Sequence, residues 1–195
     1  MNRSVPLLVL LAALQLAPAS AGGAEWAAAL SAGPTVLLQS KWNPRGSTFF
    51  TVRGRGTRSV GKTLAVGVEA AYSTLGTLAY GCANTDGGCL EPSQGNVFAA
   101  VSIVEAHARS GRTRPYVYAG GGAYGIRSYG QELTPAGPRR KWVPGVTGGV
   151  GFTAAGSPGF GLETKWELLF DGQWPSGYFD RNTQFLSFLA TLRFH

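Results

Sequence analysis

The chain is short of charge. Asp, Glu, Lys and Arg make up 14% of its 195 residues, against about 25% in ordinary soluble domains, too few to cover a water-facing exterior in the usual way. Acidic residues are the scarcer kind, 10 against 17 basic ones, for a formal charge of +7. The basic residues are dispersed over several segments and form no single stripe, which argues against nucleic acid as a partner. Long apolar runs are missing too. After Leu16 no stretch approaches the roughly 18 uninterrupted apolar residues that a membrane helix needs. Entry into a bilayer would therefore require a closed barrel, because only closure satisfies every backbone group in hydrocarbon. Cysteine is limited to Cys82 and Cys89, which frame Ala-Asn-Thr-Asp-Gly-Gly. No histidine lies beside them, and two thiolates leave a zinc shell incomplete. A disulfide closing this small loop is the expectation in an oxidising compartment, and neither a metal nor a cofactor is expected.

What is present begins with an export signal. Arg3, the apolar run Val5 to Leu16 and then Ala19-Ser20-Ala21 read as a secretory signal peptide over residues 1–21, cleaved before Gly22. No cysteine stands directly after the cleavage point, which disfavours a lipoprotein, and residues 22–195 are expected to form one domain. Twenty-nine glycines accompany ten phenylalanines, seven tyrosines and five tryptophans. Glycine costs about 1 kcal/mol per helix position relative to alanine, so this composition predicts strands and turns.

The strongest pattern is Phe160 to Phe170. Phe160, Leu162, Trp166, Leu168 and Phe170 share one parity with Thr164, and Gly161, Glu163, Lys165 and Glu167 share the other. Period two is the signature of a β-strand. At about 3.3 Å per residue a tilted strand of this length crosses an apolar band of about 25 Å. A soluble lipocalin-like barrel also alternates, with the apolar face inside. The polar parity of the other strands separates the two, because it is mostly Gly, Ala, Ser and Thr, as suits a narrow lumen and not a wet exterior.

Seven further strands are expected at 26–39, 47–53, 62–74, 96–108, 114–127, 142–153 and 182–194, with 160–170 as the seventh in order. In strand three Leu64, Val66, Val68, Ala70 and Tyr72 form one face, and Ala65, Gly67, Glu69, Ala71 and Ser73 the other. Arg53-Gly-Arg-Gly-Thr-Arg-Ser-Val-Gly61 reads as a basic, glycine-rich turn. Connections after odd strands are mostly long and polar and those after even strands mostly short, the asymmetry of outer-membrane barrels. The predicted class is all-β: an eight-stranded antiparallel up-and-down transmembrane β-barrel.

At Pro115 to Gly125, Thr147-Gly-Gly-Val-Gly-Phe152 and Phe185-Leu-Ser-Phe-Leu-Ala-Thr-Leu-Arg-Phe194 the sequence resembles the small eight-stranded outer-membrane β-barrels, the OmpA/OmpX-like group. The resemblance implies a monomer in the bacterial outer membrane. It also implies insertion by the barrel-assembly machinery, which reads a final strand of alternating apolar residues with a terminal aromatic. Phe188, Leu192 and Phe194 match that signal, and His195 departs from it by following the aromatic. The group includes anchors, adhesins, small-molecule conduits and lipid enzymes, so fold leaves activity open.

Three sets of residues could carry chemistry. Glu69, Glu163, Lys165 and Glu167, with Glu105, His107, Arg53 and Arg193, form a candidate lumen charge network, which must pair internally because a buried lone ion costs several kcal/mol. A narrow solute path through that lumen is the alternative use. Arg139, Arg140 and Lys141, placed on a surface loop beside Trp142, are candidates for contact with lipopolysaccharide phosphates. Ser102 or Ser110 with Glu105 and His107 would be needed for an acyl hydrolase acting on lipid A. The serine and histidine spacing does not support that geometry, so no enzyme is expected. The expected role is structural or interactive, carried by the surface loops.

Overall fold

The computed structural model describes residues 25–38, 49–78, 93–108, 112–129, 139–170 and 182–194. The signal peptide and the Cys82–Cys89 pair lie outside them. Eight strands follow in order: β1 (Trp26–Leu37), β2 (Phe49–Ser59), β3 (Leu64–Leu78), β4 (Ser93–His107), β5 (Thr113–Tyr129), β6 (Arg139–Ala154), β7 (Gly159–Phe170) and β8 (Asn182–Phe194). Each pairs with the next, β8 closes on β1 in antiparallel register, and the result is a closed up-and-down barrel.

Parity decides which side each residue faces. On β7 Phe160 is 70% exposed and Leu162 57%, while Glu163 and Lys165, on the other parity, are buried. On β3 Leu64, Val66, Val68 and Tyr72 are exposed, and Ala65, Glu69, Ala71 and Ser73 are buried. The exterior is thus apolar and the interior ionic, the reverse of a soluble barrel. The lipocalin-like alternative is overturned, since an apolar belt of this extent is stable in hydrocarbon and an aggregation surface in water.

Of the boundaries that differ from expectation, two change how a segment is read. The basic segment read as a turn is part of β2, which runs to Ser59 with Thr51, Arg53, Arg55 and Thr57 buried in phase. Gly54 and Gly56 occupy the outward parity there, so the apolar face that marks a strand is absent from the sequence. Pairing supplies the missing signal, with Arg55 opposite Glu69 and Gly56 opposite Val68. The second difference is β6, which begins at Arg139. Arg139, Arg140 and Lys141 therefore belong to a strand and not a loop, opposite Ser128, Arg127 and Ile126. Both changes sharpen the asymmetry: 60–63, 108–112 and 155–158 connect strands at one end, and 38–48, 79–92, 130–138 and 171–181 at the other.

Gly33-Pro34 stays within β1, as a flaw in the closing seam. The β1–β8 register pairs Ala32 with Ala190 and resumes at Thr35 with Ser187. Proline has no N–H to give, and a Cβ on Gly33 would stand 1.9 Å from the carbonyl oxygen of Phe188, so only glycine permits this approach.

Val68, 58% exposed near mid-height, tests the exterior. Val68→Arg should destabilise the barrel in lipid vesicles by about 2–4 kcal/mol, the cost of Arg at the bilayer midplane, measured by denaturant unfolding. A water-facing position would change by no more than about 0.5 kcal/mol.

Candidate functional site

The candidate site is the barrel interior, and glycine shapes it. Tyr116 and Tyr118 on β5 stand opposite Gly151 and Gly149 on β6. A Cβ at either glycine would lie 2.6–2.7 Å from the facing tyrosine's ring or hydroxyl, and one at Gly145 would lie 2.6 Å from the ring of Tyr124. The absence of side chains on β6 lets the rings lie across it, aromatic over glycine, which also covers exposed backbone. Their hydroxyls thereby reach β7: Tyr116 donates to Glu163 Oε2 at 2.6 Å and Tyr118 to Oε1 at 2.5 Å.

The opposite wall supplies the cations. Arg53 grips both oxygens of Glu163, with Nη2 donating to Oε2 at 2.7 Å and Nη1 to Oε1. Its Nη2 also donates to Ser31 Oγ at 2.7 Å. Arg55 donates to Glu69 Oε2 from Nη2 at 2.9 Å and to Glu105 Oε2 from Nη1 at 3.1 Å, and its guanidinium stacks 3.8 Å from the centroid of Tyr118. Arg193 donates to Glu105 Oε1 at 2.7 Å. Lys165 Nζ sits 2.6 Å from Glu69 Oε1 and 3.0 Å from Glu167 Oε1. Four cations (Arg53, Arg55, Lys165, Arg193) meet four carboxylates (Glu69, Glu105, Glu163, Glu167), all buried, so their formal charges cancel. Toward the long connections a hydroxyl chain follows, Ser73–Thr51–Thr35–Ser187, with contacts of 2.7, 2.6 and 2.8 Å. Beyond it Phe49, Val97, Ile126, Val143, Leu169 and Phe185 form an apolar plug.

Sequence reading placed Glu69, Glu105, Glu163, Lys165 and Glu167 in one interior set, and the structure brings them together with Arg53 and Arg193. His107 stands apart at the short-connection end, its Nδ1 without a hydrogen-bond partner. Arg55, Tyr116 and Tyr118 were missed as members. The signal for Arg55 was its phase with Thr51 and Thr57; for the tyrosines it was their register against Gly149 and Gly151. The acyl-hydrolase constellation is not assembled. Glu105 is engaged by Arg55 and Arg193, Ser102 lies on the opposite parity from Glu105 and His107, and Ser110 is outside the described residues. Phe188 and Phe194 face outward, 50% and 39% exposed. No water-sized void touches Arg53, Lys165, Glu105, Tyr124 or Leu169, each 0% exposed.

A closed antiparallel barrel, apolar outside and ionic within, is a transmembrane β-barrel. No family model and no curated protein matches the chain. Among solved structures, Neisserial surface protein A (NspA) matches with a TM-score of 0.60 at 12% identity, covering 89% of this chain and 99% of that one. The N-terminal barrel domain of OprF from Pseudomonas aeruginosa matches with a TM-score of 0.49 at 10% identity, covering 88% and 100%. Ail, the attachment invasion locus protein of Yersinia pestis, matches with a TM-score of 0.47 at 11% identity, covering 88% and 97%. The likeness is one of fold, carried by NspA, and the chain has the fold of the small eight-stranded bacterial outer-membrane β-barrels.

Glu163 is the residue on which the interior converges. Glu163→Gln should cost about 3–5 kcal/mol in denaturant unfolding, because it leaves Arg53 buried without its partner. The apolar double variant Arg53→Met/Glu163→Leu should cost less than the sum of its single changes. Additive losses would show that the pair does not couple.

Proposed function

We propose that this chain is an integral outer-membrane protein of Gram-negative bacteria. It acts as a sealed, monomeric barrel that holds four long connections at the cell surface, where they carry a structural or surface-interaction role, and it is not an enzyme. The observation that carries the reading is the closed interior, neutral and internally paired, beneath an apolar plug. Such a barrel gains nothing as a pore from its strands, and its variable chemistry is left to the connections. The short-connection end, where Trp26 and Phe194 also lie, faces the periplasm, by analogy with barrels whose periplasmic turns are short. The conduit alternative is weakened by the tyrosine rings over Gly149 and Gly151, which fill what the sequence left as space.

The lipid partner is lipopolysaccharide. Arg127 and Arg140 stand directly opposite each other at the long-connection end of β5 and β6, beside the Ile126–Lys141 and Ser128–Arg139 pairs. Trp142, two residues along β6 on the parity of Arg140, is 63% exposed and serves as the interfacial anchor. Arginine positions at that height of the strands suit phosphate, which guanidinium recognises by paired charge-assisted hydrogen bonds. Phe188, Leu192 and Phe194 of the last strand serve as the signal to the barrel-assembly machinery.

Planar-bilayer recording of the refolded chain should show no unitary conductance, and protease applied to intact cells should cut only within 38–48, 79–92, 130–138 and 171–181. Discrete conductance steps would replace the anchor reading with the conduit, and recovery of the chain as a soluble periplasmic protein would remove both.

A further inference from the structure

The short-connection mouth of the barrel contains a pocket of about 60 Å³ that the interior network does not fill. His107, Arg114, Tyr116, Thr153 and Arg193 line it, and Glu25, exposed at its edge, is the one carboxylate among its lining residues. The cations and carboxylates of the network cancel, so Arg114 and His107 are added at the mouth without a matching buried acid among the described residues. Arg193, 8% exposed, donates to Glu105 through Nη2 and keeps a buried Nε without a partner. His107 Nδ1 is in the same condition. Native interiors rarely leave such groups unmatched, because a buried polar group without a partner has given up its hydration for nothing. A ligand that accepted hydrogen bonds here would relieve that cost. The room exceeds the roughly 10–15 Å³ that one water needs, and the lining adds the Thr153 hydroxyl to its cations. A divalent cation would meet two guanidinium groups, and an apolar ligand would strand them.

We propose that this mouth pocket binds a small oxyanion, a phosphate group held between Arg114 and Arg193 with His107 at its side. The group is either free inorganic phosphate or the phosphate of a lipid headgroup at the periplasmic leaflet. His107 Nδ1 and Arg193 Nε are buried as the side chains stand, so holding the anion through them requires those side chains to turn toward the pocket. This site is independent of the surface connections, so its failure leaves the anchor reading untouched, and conductance of the barrel leaves the site untouched.

The test uses the full chain refolded in maltoside micelles, which contain no phosphate. The ring C–H signals of His107, assigned with His107→Gln, are followed while inorganic phosphate replaces chloride at constant ionic strength. A saturable shift is expected, with a dissociation constant near 1 mM, about −4 kcal/mol. Arg114→Gln, at an exposed position, should weaken binding by about tenfold or more, the loss of one charge-assisted contact. Arg112→Gln, in the adjoining connection, should leave it unchanged. A second titration adds phosphatidylglycerol to the micelles; a response to this lipid with none to free phosphate assigns the site to a headgroup. Absence of a saturable shift with both probes, or equal loss in Arg112→Gln and Arg114→Gln, would overturn the proposal.

Discussion

Everything inside this barrel depends on the pairing of Arg53 with Glu163. Glu163 receives both guanidinium nitrogens of Arg53 and the hydroxyls of Tyr116 and Tyr118, which links β2, β5 and β7 across the lumen. A wall one strand thick separates these charges from hydrocarbon, so water cannot compensate a missing partner. An interior of this kind must be neutral as a whole and paired in detail. The four cations and four carboxylates meet the first condition, and the alternation of contacts Arg53–Glu163, Arg55–Glu69, Arg55–Glu105, Arg193–Glu105 and Lys165–Glu69 meets the second. A buried ion cluster is weak evidence for stability on its own. Its more defensible role here is to fix register. Slipping one strand by a single residue would turn an arginine or a glutamate into lipid.

The fold was legible in the sequence because its code is binary. β7 shows this in full: each inward residue from Gly161 to Glu167 is glycine or charged, and the outward residues are apolar apart from Thr164. β3 and β8 repeat the apolar outward face, with small, hydroxyl or charged residues inward apart from Phe185 and Leu189 on β8. β2 was misread at the point where glycine replaced its outward apolar residues, since Gly54 and Gly56 carry no signal of facing lipid, and Arg-Gly-Arg-Gly has the composition of a turn. Only the neighbour shows otherwise. Arg55 is in a strand because Glu69 lies across from it, a fact about two segments that no single window contains. The start of β6 was hidden in the same way. Arg139, Arg140 and Lys141 look like loop residues until the length of β5 is known.

Part of the site was legible and part was not, for a related reason. Buried carboxylates within a strand of known parity announce themselves, as Glu69, Glu163 and Glu167 did. Which cations answer them depends on the barrel's closure, which sets β2 and β8 around the same lumen as β7. The role of Tyr116 and Tyr118 was harder to see. Their parity was clear, but small residues at Gly149 and Gly151 looked like space in the lumen. The two features are complementary, because the glycines let the rings lie flat, and the rings fill the volume the glycines leave. A row of lumen-facing glycines in a small barrel is therefore no sign of a channel until the aromatic residues of the neighbouring strand have been placed.

The two ends of the interior are built for different conditions. Toward the long connections the charges give way first to hydroxyls that satisfy one another around β3, β2, β1 and β8, and then to Phe49, Leu169 and Phe185. The four hydroxyls thus satisfy one another before the apolar plug begins. Toward the short connections there is no such cap. Arg193 and His107 bring ring and guanidinium nitrogens to the mouth with part of their bonding capacity unused, and Arg114 adds a second guanidinium there. An end left open and basic differs from its plugged counterpart in the respect that matters for a ligand: a pocket there is lined by two guanidinium groups.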